Sequence, residues 1–144
     1  MINLIQLEQF LRTVDRDFPI PISQKQYLTP FARKLMEKAT ICSVCENGKI
    51  LSLVAGYTEN LFENMAYISI VATLSEARGK GYAMKLVKDF ISCCRDKKIK
   101  AVHLYTAPTN VAAIKMYKRL GFQNFYPENE PRPEDMHLIY FLGG

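Results

Sequence analysis

The chain has 144 residues, 49% of them hydrophobic and 23% charged, which is the composition of one soluble globular domain over residues 1–144. No apolar run approaches the roughly 20 residues of a membrane-spanning helix, and the first residues lack the basic-then-apolar design of a secretion signal. We therefore expect a cytoplasmic protein without a membrane partner. The net charge of +5 suits an anionic cofactor or a nucleic acid equally well.

Two N-terminal segments have apolar residues at helical spacing, and they predict helices over residues 3–14 and 27–39. Between them Pro19 and Pro21 predict an extended link. That link is longer than the turn of about 3–4 residues in a DNA-binding helix-turn-helix. This length weakens the interpretation as a nucleic-acid-binding domain, which then depends on charge alone.

A β-hairpin is predicted after the helices. Asn47 and Gly48 form a pair typical of tight hairpin turns, and they separate strand-like runs at residues 41–46 and 49–57. Residues 67–74 are a third run rich in β-forming residues.

The C-terminal half alternates helices and strands. Its predicted elements are a helix at 81–95, a strand at 101–106, a helix at 110–120 that ends at 121–122, an irregular exposed loop at 126–133 and a strand at 136–142. A β-helix-β crossover is parallel and right-handed, whereas hairpin strands are antiparallel. The predicted fold class is therefore α/β, with a central mixed sheet flanked by helices.

The four cysteines are predicted to be reduced residues of the core or surface. Cys42 and Cys45 have redox spacing, but they lie in a strand, where side chains three positions apart face opposite ways. Cys93 and Cys94 lie within the long helix, and we do not expect them to be nucleophiles. The two histidines are far from the cysteines in sequence, so no metal site is predicted.

The turn before the long helix has the features of a phosphate-binding site. A helix N-terminus presents unpaired main-chain N–H groups and the positive end of the helix dipole. Gly79 and Gly81 lack Cβ atoms that would hinder a close ligand, while Arg78 and Lys80 add positive charge. The spacing matches neither a nucleoside-triphosphate P-loop nor the three-glycine dinucleotide motif.

Two stretches of the chain resemble signatures of one family. Residues 78–83, Arg-x-x-Gly-x-Ala, resemble the [Gln/Arg]-x-x-Gly-x-[Gly/Ala] motif of the GNAT superfamily of N-acetyltransferases. Residues 110–122, Asn-x-x-Ala-x-x-x-Tyr-x-x-x-Gly-Phe, resemble the family's next signature, on the expected helix. The resemblance covers about residues 67–122, and it implies a GNAT-like acyl-CoA N-acyltransferase fold.

The resemblance also implies a site for acetyl-CoA. Main-chain groups of Val71 and Thr73 would pair with the pantetheine arm, Asn110 would contact the same region, and the hydroxyl of Tyr117 would lie near the thioester sulfur as a general acid. The full predicted set of cofactor-binding residues is Val71, Thr73, Arg78, Gly79, Lys80, Gly81, Tyr82, Ala83 and Asn110. Tyr117 also fits a core position at helical spacing, and Asn110 also fits a helix cap.

The general base is left unassigned. Some members carry a glutamate eleven positions before the first motif, where this chain has Tyr67. Glu59, Glu63 and His137 are candidates that would act through water, and each also fits a solvated surface residue. Alternation along a strand places Ser69 on the face of Tyr67, where it would line the site.

The predicted function is direct acetyl transfer from acetyl-CoA to a primary amine of a small molecule or peptide, with no metal and no covalent enzyme intermediate. Two alternatives stay open, a transferase for a longer acyl-CoA and a non-catalytic CoA-binding or interaction module of the same fold. No nucleic-acid partner is expected. The motifs leave the acceptor amine unidentified and a homodimer open, and the N-terminal helices with loops 60–65 and 126–135 are expected to shape the acceptor pocket.

Overall fold

The computed structural model describes residues 1–143, which form a six-stranded mixed sheet with helices on both faces. The helices are α1 (Leu4–Val14), α2 (Ile22–Lys25), α3 (Leu28–Lys38), α4 (Tyr82–Asp96) and α5 (Val111–Leu120). The strands are β1 (Thr40–Glu46), β2 (Lys49–Tyr57), β3 (Met65–Thr73), β4 (Ala101–Thr106), β5 (Gln123–Asn124) and β6 (Met136–Phe141). The predicted fold class is confirmed. No helix within these 143 residues combines the length and the apolar character needed to cross a membrane.

The strands lie in the order β1-β2-β3-β4-β6-β5. Neighbouring strands are antiparallel except β3 and β4, which are parallel because α4 connects them by a crossover. Such a connection returns the chain to the same end of the sheet. The predicted hairpin and crossover are both confirmed, whereas the two-residue strand β5 was not predicted.

A bulge in β3 opens the centre of the sheet. Gly56 of β2 pairs with Ile68 and Ala55 pairs with Ile70, so Ser69 is the extra residue on β3. A bulge bends its strand and increases the local twist. The pairing of β3 with β4 stops at Ile68, so the two strands separate toward their C-terminal ends.

Each face of the sheet carries its own hydrophobic cluster. Helices α1 and α3 cover one face, and the side chains buried there include Leu7, Leu11, Leu35 and Leu53. Helices α4 and α5 cover the other face, and the side chains buried there include Leu86, Phe90, Leu104 and Leu138. The helical spacing of the apolar residues within each helix is what turns one side of that helix toward the sheet.

The predicted extended link between the first two long helices is wrong in part. It contains a 3-10 turn at Asp15–Asp17 and the one-turn helix α2. The carboxylate of Asp15 accepts a hydrogen bond from the main-chain N–H of Ser23 at 2.8 Å, and this contact holds the chain in a turn. The link is extended at Phe18, with a ψ angle of 145°, and at Pro21, with a ψ angle of 143°.

Candidate active site

A cavity of about 580 Å³ lies where β3 and β4 separate. Its wall is formed by the end of β3, the end of β4, the start of α5, the segment after α1 and the loop before β6. The predicted site residues on this wall are Val71, Thr73, Arg78, Ala83, Asn110 and Tyr117. Elements far apart in sequence therefore meet at one concave site, as ligand sites commonly require.

The edge of β3 beside the cavity presents main-chain groups that β2 does not pair. The N–H of Leu74 donates to the carbonyl of Leu51 on β2 at 2.8 Å. Because successive residues of a strand alternate in direction, the main-chain groups of Val71 and Thr73 face away from β2. They point to the side where β4 has already separated, so an extended ligand can pair with them as an added strand would.

The turn before α4 leaves its main-chain donors accessible. Gly79 and Gly81 have φ angles of +81° and +78°, and a Cβ built on either would meet no atom within 4 Å. No side chain of residues 1–143 caps α4, so the N–H groups of Tyr82 and Ala83 are available to an anion. The side chain of Lys80 is exposed beside them.

Arg78 ties this turn to two other parts of the protein. Its Nη2 atom lies 2.9 Å from Oδ2 of Asp17, and its Nε atom donates to the carbonyl of Thr73 at 3.3 Å. The ion pair is solvent-exposed, and such pairs contribute at most about 1 kcal/mol to stability. The ion pair therefore positions the charge of Arg78 at the cavity wall but adds little to the stability of the protein.

Helix α5 supplies two predicted residues to the opposite wall. Oδ1 of Asn110 accepts a hydrogen bond from the N–H of Ala113 at 3.3 Å, so the predicted cap is confirmed. Tyr117 is only 5% exposed and its ring packs edge-on against Phe122, with centroids 5.5 Å apart. Burial raises the pKa of Tyr117 well above its usual value near 10, so its hydroxyl keeps its proton at neutral pH.

A group of hydrogen-bonded polar side chains adjoins the cavity, and we call it the polar cluster: His103, Tyr105, Glu130 and His137. Nδ1 of His103 lies 2.8 Å from Nε2 of His137, and Nδ1 of His137 lies 2.6 Å from Oε2 of Glu130. The hydroxyl of Tyr105 donates to Oε1 of Glu130 at 2.6 Å, and Tyr105 itself lines the cavity. The cluster thus reaches from a buried histidine to the cavity wall.

Arg132 covers the cluster on the cavity side. Its Nη2 atom lies 2.6 Å from Oδ2 of Asp135, and its guanidinium carbon lies 4.5 Å from the centre of the Tyr105 ring. Its Nη1 atom also donates to the hydroxyl of Tyr67 at 3.4 Å. The two charged side chains of this loop that line the cavity, Arg132 and Asp135, therefore form an ion pair with each other.

The carboxylate of Glu130 stays ionised. Burial opposes this, but hydrogen bonds from Tyr105, from the main chain of Arg132 and from His137 outweigh it and hold the pKa of Glu130 at about 2. Burial, followed by the proximity of His137, lowers the pKa of His103 to about 4. At neutral pH the cluster therefore contains a carboxylate and a neutral His103.

Known proteins resemble this chain both in sequence and in fold. A model of the Acetyltransferase (GNAT) family matches residues 7–122. The chain belongs to the GNAT acetyltransferase family. Over 56 residues it is 36% identical to N-alpha-acetyltransferase 30 of Schizosaccharomyces pombe, a match that covers 39% of the chain and 37% of that relative. The match thus spans little more than a third of the curated relative's length.

Solved structures share the fold of this GNAT acetyltransferase. An acetyltransferase of the GNAT family from Staphylococcus aureus Mu50 is 16% identical and superposes with a TM-score of 0.76 over 96% of this chain and 92% of that one. The PaiA N-acetyltransferase of Thermoplasma acidophilum, solved in complex with coenzyme A, is 11% identical, with a TM-score of 0.73 over 97% of this chain and 95% of that one. At these identities the likeness concerns the fold.

The candidate general bases of this GNAT acetyltransferase differ in burial and in their position relative to the cavity. His137 is 7% exposed, so its interpretation as a solvated surface residue is wrong. Glu59 and Glu63 are exposed and lie outside the cavity wall, and Glu59 is 3.6 Å from Lys97. Ser69 lines the cavity as predicted, although the bulge interrupts the alternation on which that prediction was based.

The cysteines of this GNAT acetyltransferase lie away from the cavity wall as free thiols. Burial raises the pKa of Cys42 to about 11 and that of Cys94 to about 12, which disfavours the nucleophilic thiolate. Across residues 1–143 no group of three or more His, Cys, Asp or Glu side chains is arranged to hold a metal ion.

Sequence reasoning missed the polar cluster because its members come from three segments. Glu130 lies in the loop that was predicted to be irregular and exposed, and the fold places its carboxylate against Tyr105 and His137. One signal was available. If β4 and β6 are taken as neighbours, alternation places His103, Tyr105 and His137 on one face of the sheet.

Proposed function

We propose that this protein is an N-acetyltransferase that transfers the acetyl group of acetyl-CoA directly to a primary amine of a small molecule or peptide. The observation that carries the proposal is the opening between β3 and β4. Val71 and Thr73 on the edge of β3, Ala83 at the uncapped N-terminus of α4, and Tyr117 all line this opening.

The residues around this opening fit coenzyme A. A diphosphate needs several N–H donors and room for close approach, which the turn at Gly79 and Gly81 provides. The amides of a pantetheine arm need a strand edge, and Val71 and Thr73 offer one. Asn110 caps α5 through its Oδ1 atom, so its Nδ2 group remains as a donor for the same arm.

The residues at the far end of the opening suit the chemistry of acetyl transfer. The attacking amine must be unprotonated, and the thiolate that leaves must gain a proton. Tyr117 is protonated, buried and on the cavity wall, which supports its role as the acid that protonates the sulfur. The high pKa values of Cys42 and Cys94 support direct transfer rather than a covalent enzyme intermediate.

The acceptor amine is proposed to enter between the segment after α1 and the loop before β6, since both contribute to the cavity wall. A peptide amine is supported by the similarity to an N-alpha-acetyltransferase. The proposed location is the cytoplasm, in keeping with four free thiols. Self-association as a homodimer remains a prediction.

The test measures CoA release and product mass with a panel of amines, comprising amino acids, a polyamine and short peptides with a free α-amine. Acetyl-CoA, butanoyl-CoA and decanoyl-CoA are compared as donors. We expect turnover with acetyl-CoA. Faster turnover with a longer donor would favour the acyl-CoA alternative, and CoA binding without turnover on any amine would favour a non-catalytic module.

The role of Tyr117 is tested with Tyr117→Phe. Loss of a general acid lowers rates by about 10²–10⁴-fold, so we expect kcat to fall about 100-fold while the Kd for CoA changes less than twofold. The matched control is Tyr126→Phe, because Tyr126 is 83% exposed and lies outside this cavity. Equal kcat for Tyr117→Phe and Tyr126→Phe would remove Tyr117 from the mechanism.

A further inference from the structure

The two histidines of the chain form a connected pair whose partners restrict where protons can lie. Nδ1 of His137 faces the ionised carboxylate of Glu130 at 2.6 Å, so this nitrogen carries a proton and donates it. Nε2 of a neutral His137 is then an acceptor. The nitrogen 2.8 Å away, Nδ1 of His103, must donate the proton of that hydrogen bond.

This arrangement leaves one basic nitrogen free. When Nδ1 of His103 carries the proton, Nε2 of His103 has a lone pair and no assigned partner among residues 1–143. The ring of His103 lies 5.2 Å from that of Tyr67 and 6.4 Å from that of Tyr105, measured between centroids. Both tyrosines line the cavity, so His103 lies directly behind its wall.

We propose that His103 and His137, held by the carboxylate of Glu130, receive the proton that the acceptor amine loses. The inference rests on the proposed acetyl transfer and deepens it by supplying the base that the sequence left unassigned. His137 and Glu130 are positioning residues, because they act through His103. The proton reaches His103 past the hydroxyls of Tyr67 and Tyr105, directly or through a water molecule.

The proton balance of the step is complete. The ammonium form of the acceptor loses one N–H proton, Nε2 of His103 gains it, and the Nδ1 proton of His103 passes to Nε2 of His137. His137 becomes an imidazolium ion whose Nδ1–H faces the carboxylate of Glu130 at 2.6 Å. After attack, the nitrogen loses a second proton. This proton goes to the oxygen of Tyr117 and replaces the proton that Tyr117 gives to the sulfur.

Charged and titratable groups from every neighbouring element face the pair. β3 contributes Tyr67, β4 contributes Tyr105, and the loop before β6 contributes Glu130, Arg132 and Asp135. Arg132 and Asp135 are paired with each other, so Glu130 is the carboxylate that remains to stabilise a charged histidine. Tyr67 and Tyr105 are neutral, because burial raises the pKa of both hydroxyls.

The first test is a nitrogen NMR titration of the two imidazole rings in the whole protein, which needs no acceptor. We expect at pH 7.5 a proton on Nδ1 of His103 and on Nδ1 of His137, and on acidification the first new proton on Nε2 of His137. The proposal is overturned if, at pH 7.5, His103 carries its proton on Nε2 and His137 is already doubly protonated. In that state Nε2 of His103 cannot accept the proton of the amine.

The Glu130→Gln variant tests the carboxylate in the same titration. An opposite charge within about 4–6 Å shifts a titration by about 1–3 pH units, so the midpoint of the histidine pair should fall by at least about one unit. Glu128→Gln is the control, because Glu128 lies in the same loop with an exposed side chain. Equal midpoints for the two variants would contradict the proposal.

The second test follows kcat/KM against pH with the amine of the panel that the unmodified protein acetylates fastest. We expect Glu130→Gln to move the acidic limb to lower pH and His137→Gln to lower the plateau about 100-fold, with the Kd for CoA unchanged. A merely structural role would lower the plateau and leave the limb in place, and that result would overturn the proposal. If the unmodified protein acetylates no amine, the proposed function fails, and the NMR titration alone decides the proton arrangement.

Discussion

Replacing Gly56 by alanine should disturb the bulge that opens the cavity. Gly56 does not have a positive φ angle, so the backbone itself tolerates a side chain. A Cβ atom would nevertheless collide with the carbonyl oxygen of Tyr67, and it would lie 2.7 Å from Cζ and 2.9 Å from Cε2 of Phe90. The carbonyl belongs to the main chain of β3, so relief requires movement of the strand.

The cost can be estimated from these contacts. Overpacking of a close-packed interior destabilises a protein by about 1–3 kcal/mol. Gly56→Ala belongs at the upper end, about 3 kcal/mol, because Phe90 is fully buried and cannot rotate away. For a chain of this size each kcal/mol shifts Tm by about 2–4 °C, so Tm should fall by about 10 °C.

The assay combines thermal unfolding with calorimetric titration of CoA. Gly48→Ala is the control, because a Cβ there meets no atom within 4 Å and only the φ angle of +75° opposes it. That conformation costs about 1–2 kcal/mol. We expect Gly56→Ala to bind CoA more weakly as well, since the strand that moves carries Val71 and Thr73. Equal Tm values for Gly56→Ala and the unmodified protein would refute the reasoning.

Three further predictions concern the cap, the acid range and the thiols. Asn110→Ala removes the cap of α5, so the free energy of unfolding should fall by about 1 kcal/mol in urea titrations, and no change would contradict the cap. The pKa of His103 is about 4 in the folded protein and 6.5 ordinarily, so the free energy of unfolding should decrease as pH falls from about 6.5 to about 4, by at most about 1.4 kcal/mol per pH unit. The His103→Gln variant should lose less stability over this range. Identical urea midpoints of the unmodified protein at pH 7 and pH 5 would contradict this prediction. Acetyl transfer by the Cys93→Ala, Cys94→Ala double variant should stay within a factor of about two, and its abolition in folded protein would refute direct transfer.

The elements with a strong local pattern were predictable from the sequence. Asn47 and Gly48 both have positive φ angles, as a tight hairpin turn requires, and Gly121 ends α5 in the left-handed conformation. The apolar spacing of α4 and β4 placed both elements to within one residue at each end. Local periodicity carries this information because it reports which side of each element is buried.

The features that depend on contacts between distant segments were not predictable in this way. The bulge at Ser69 depends on the close approach of Gly56 to β3, thirteen positions earlier in the chain. Helix α2 depends on the hydrogen bond between Asp15 and Ser23. No periodic pattern reports such contacts, because each involves single residues rather than a repeated face.

The polar cluster shows the same limit within the site. Tyr105 and His137 are paired across β4 and β6, and Glu130 reaches them from an irregular loop. The motifs predict the part of the site that we propose to bind a cofactor through main-chain groups, since those groups impose glycine at fixed positions. The proposed base involves side chains on separate elements, which only the assembled sheet brings together.

The central claim is that the turn before α4 binds the diphosphate of coenzyme A, and calorimetric titration with CoA and acetyl-CoA tests it most directly. We predict one site per chain for both ligands, a Kd at least tenfold weaker for Gly81→Val, and a Kd unchanged by Gly48→Val, which places the same side chain on another glycine of similar φ angle. Absence of any heat of binding with the folded, unmodified protein would contradict the account.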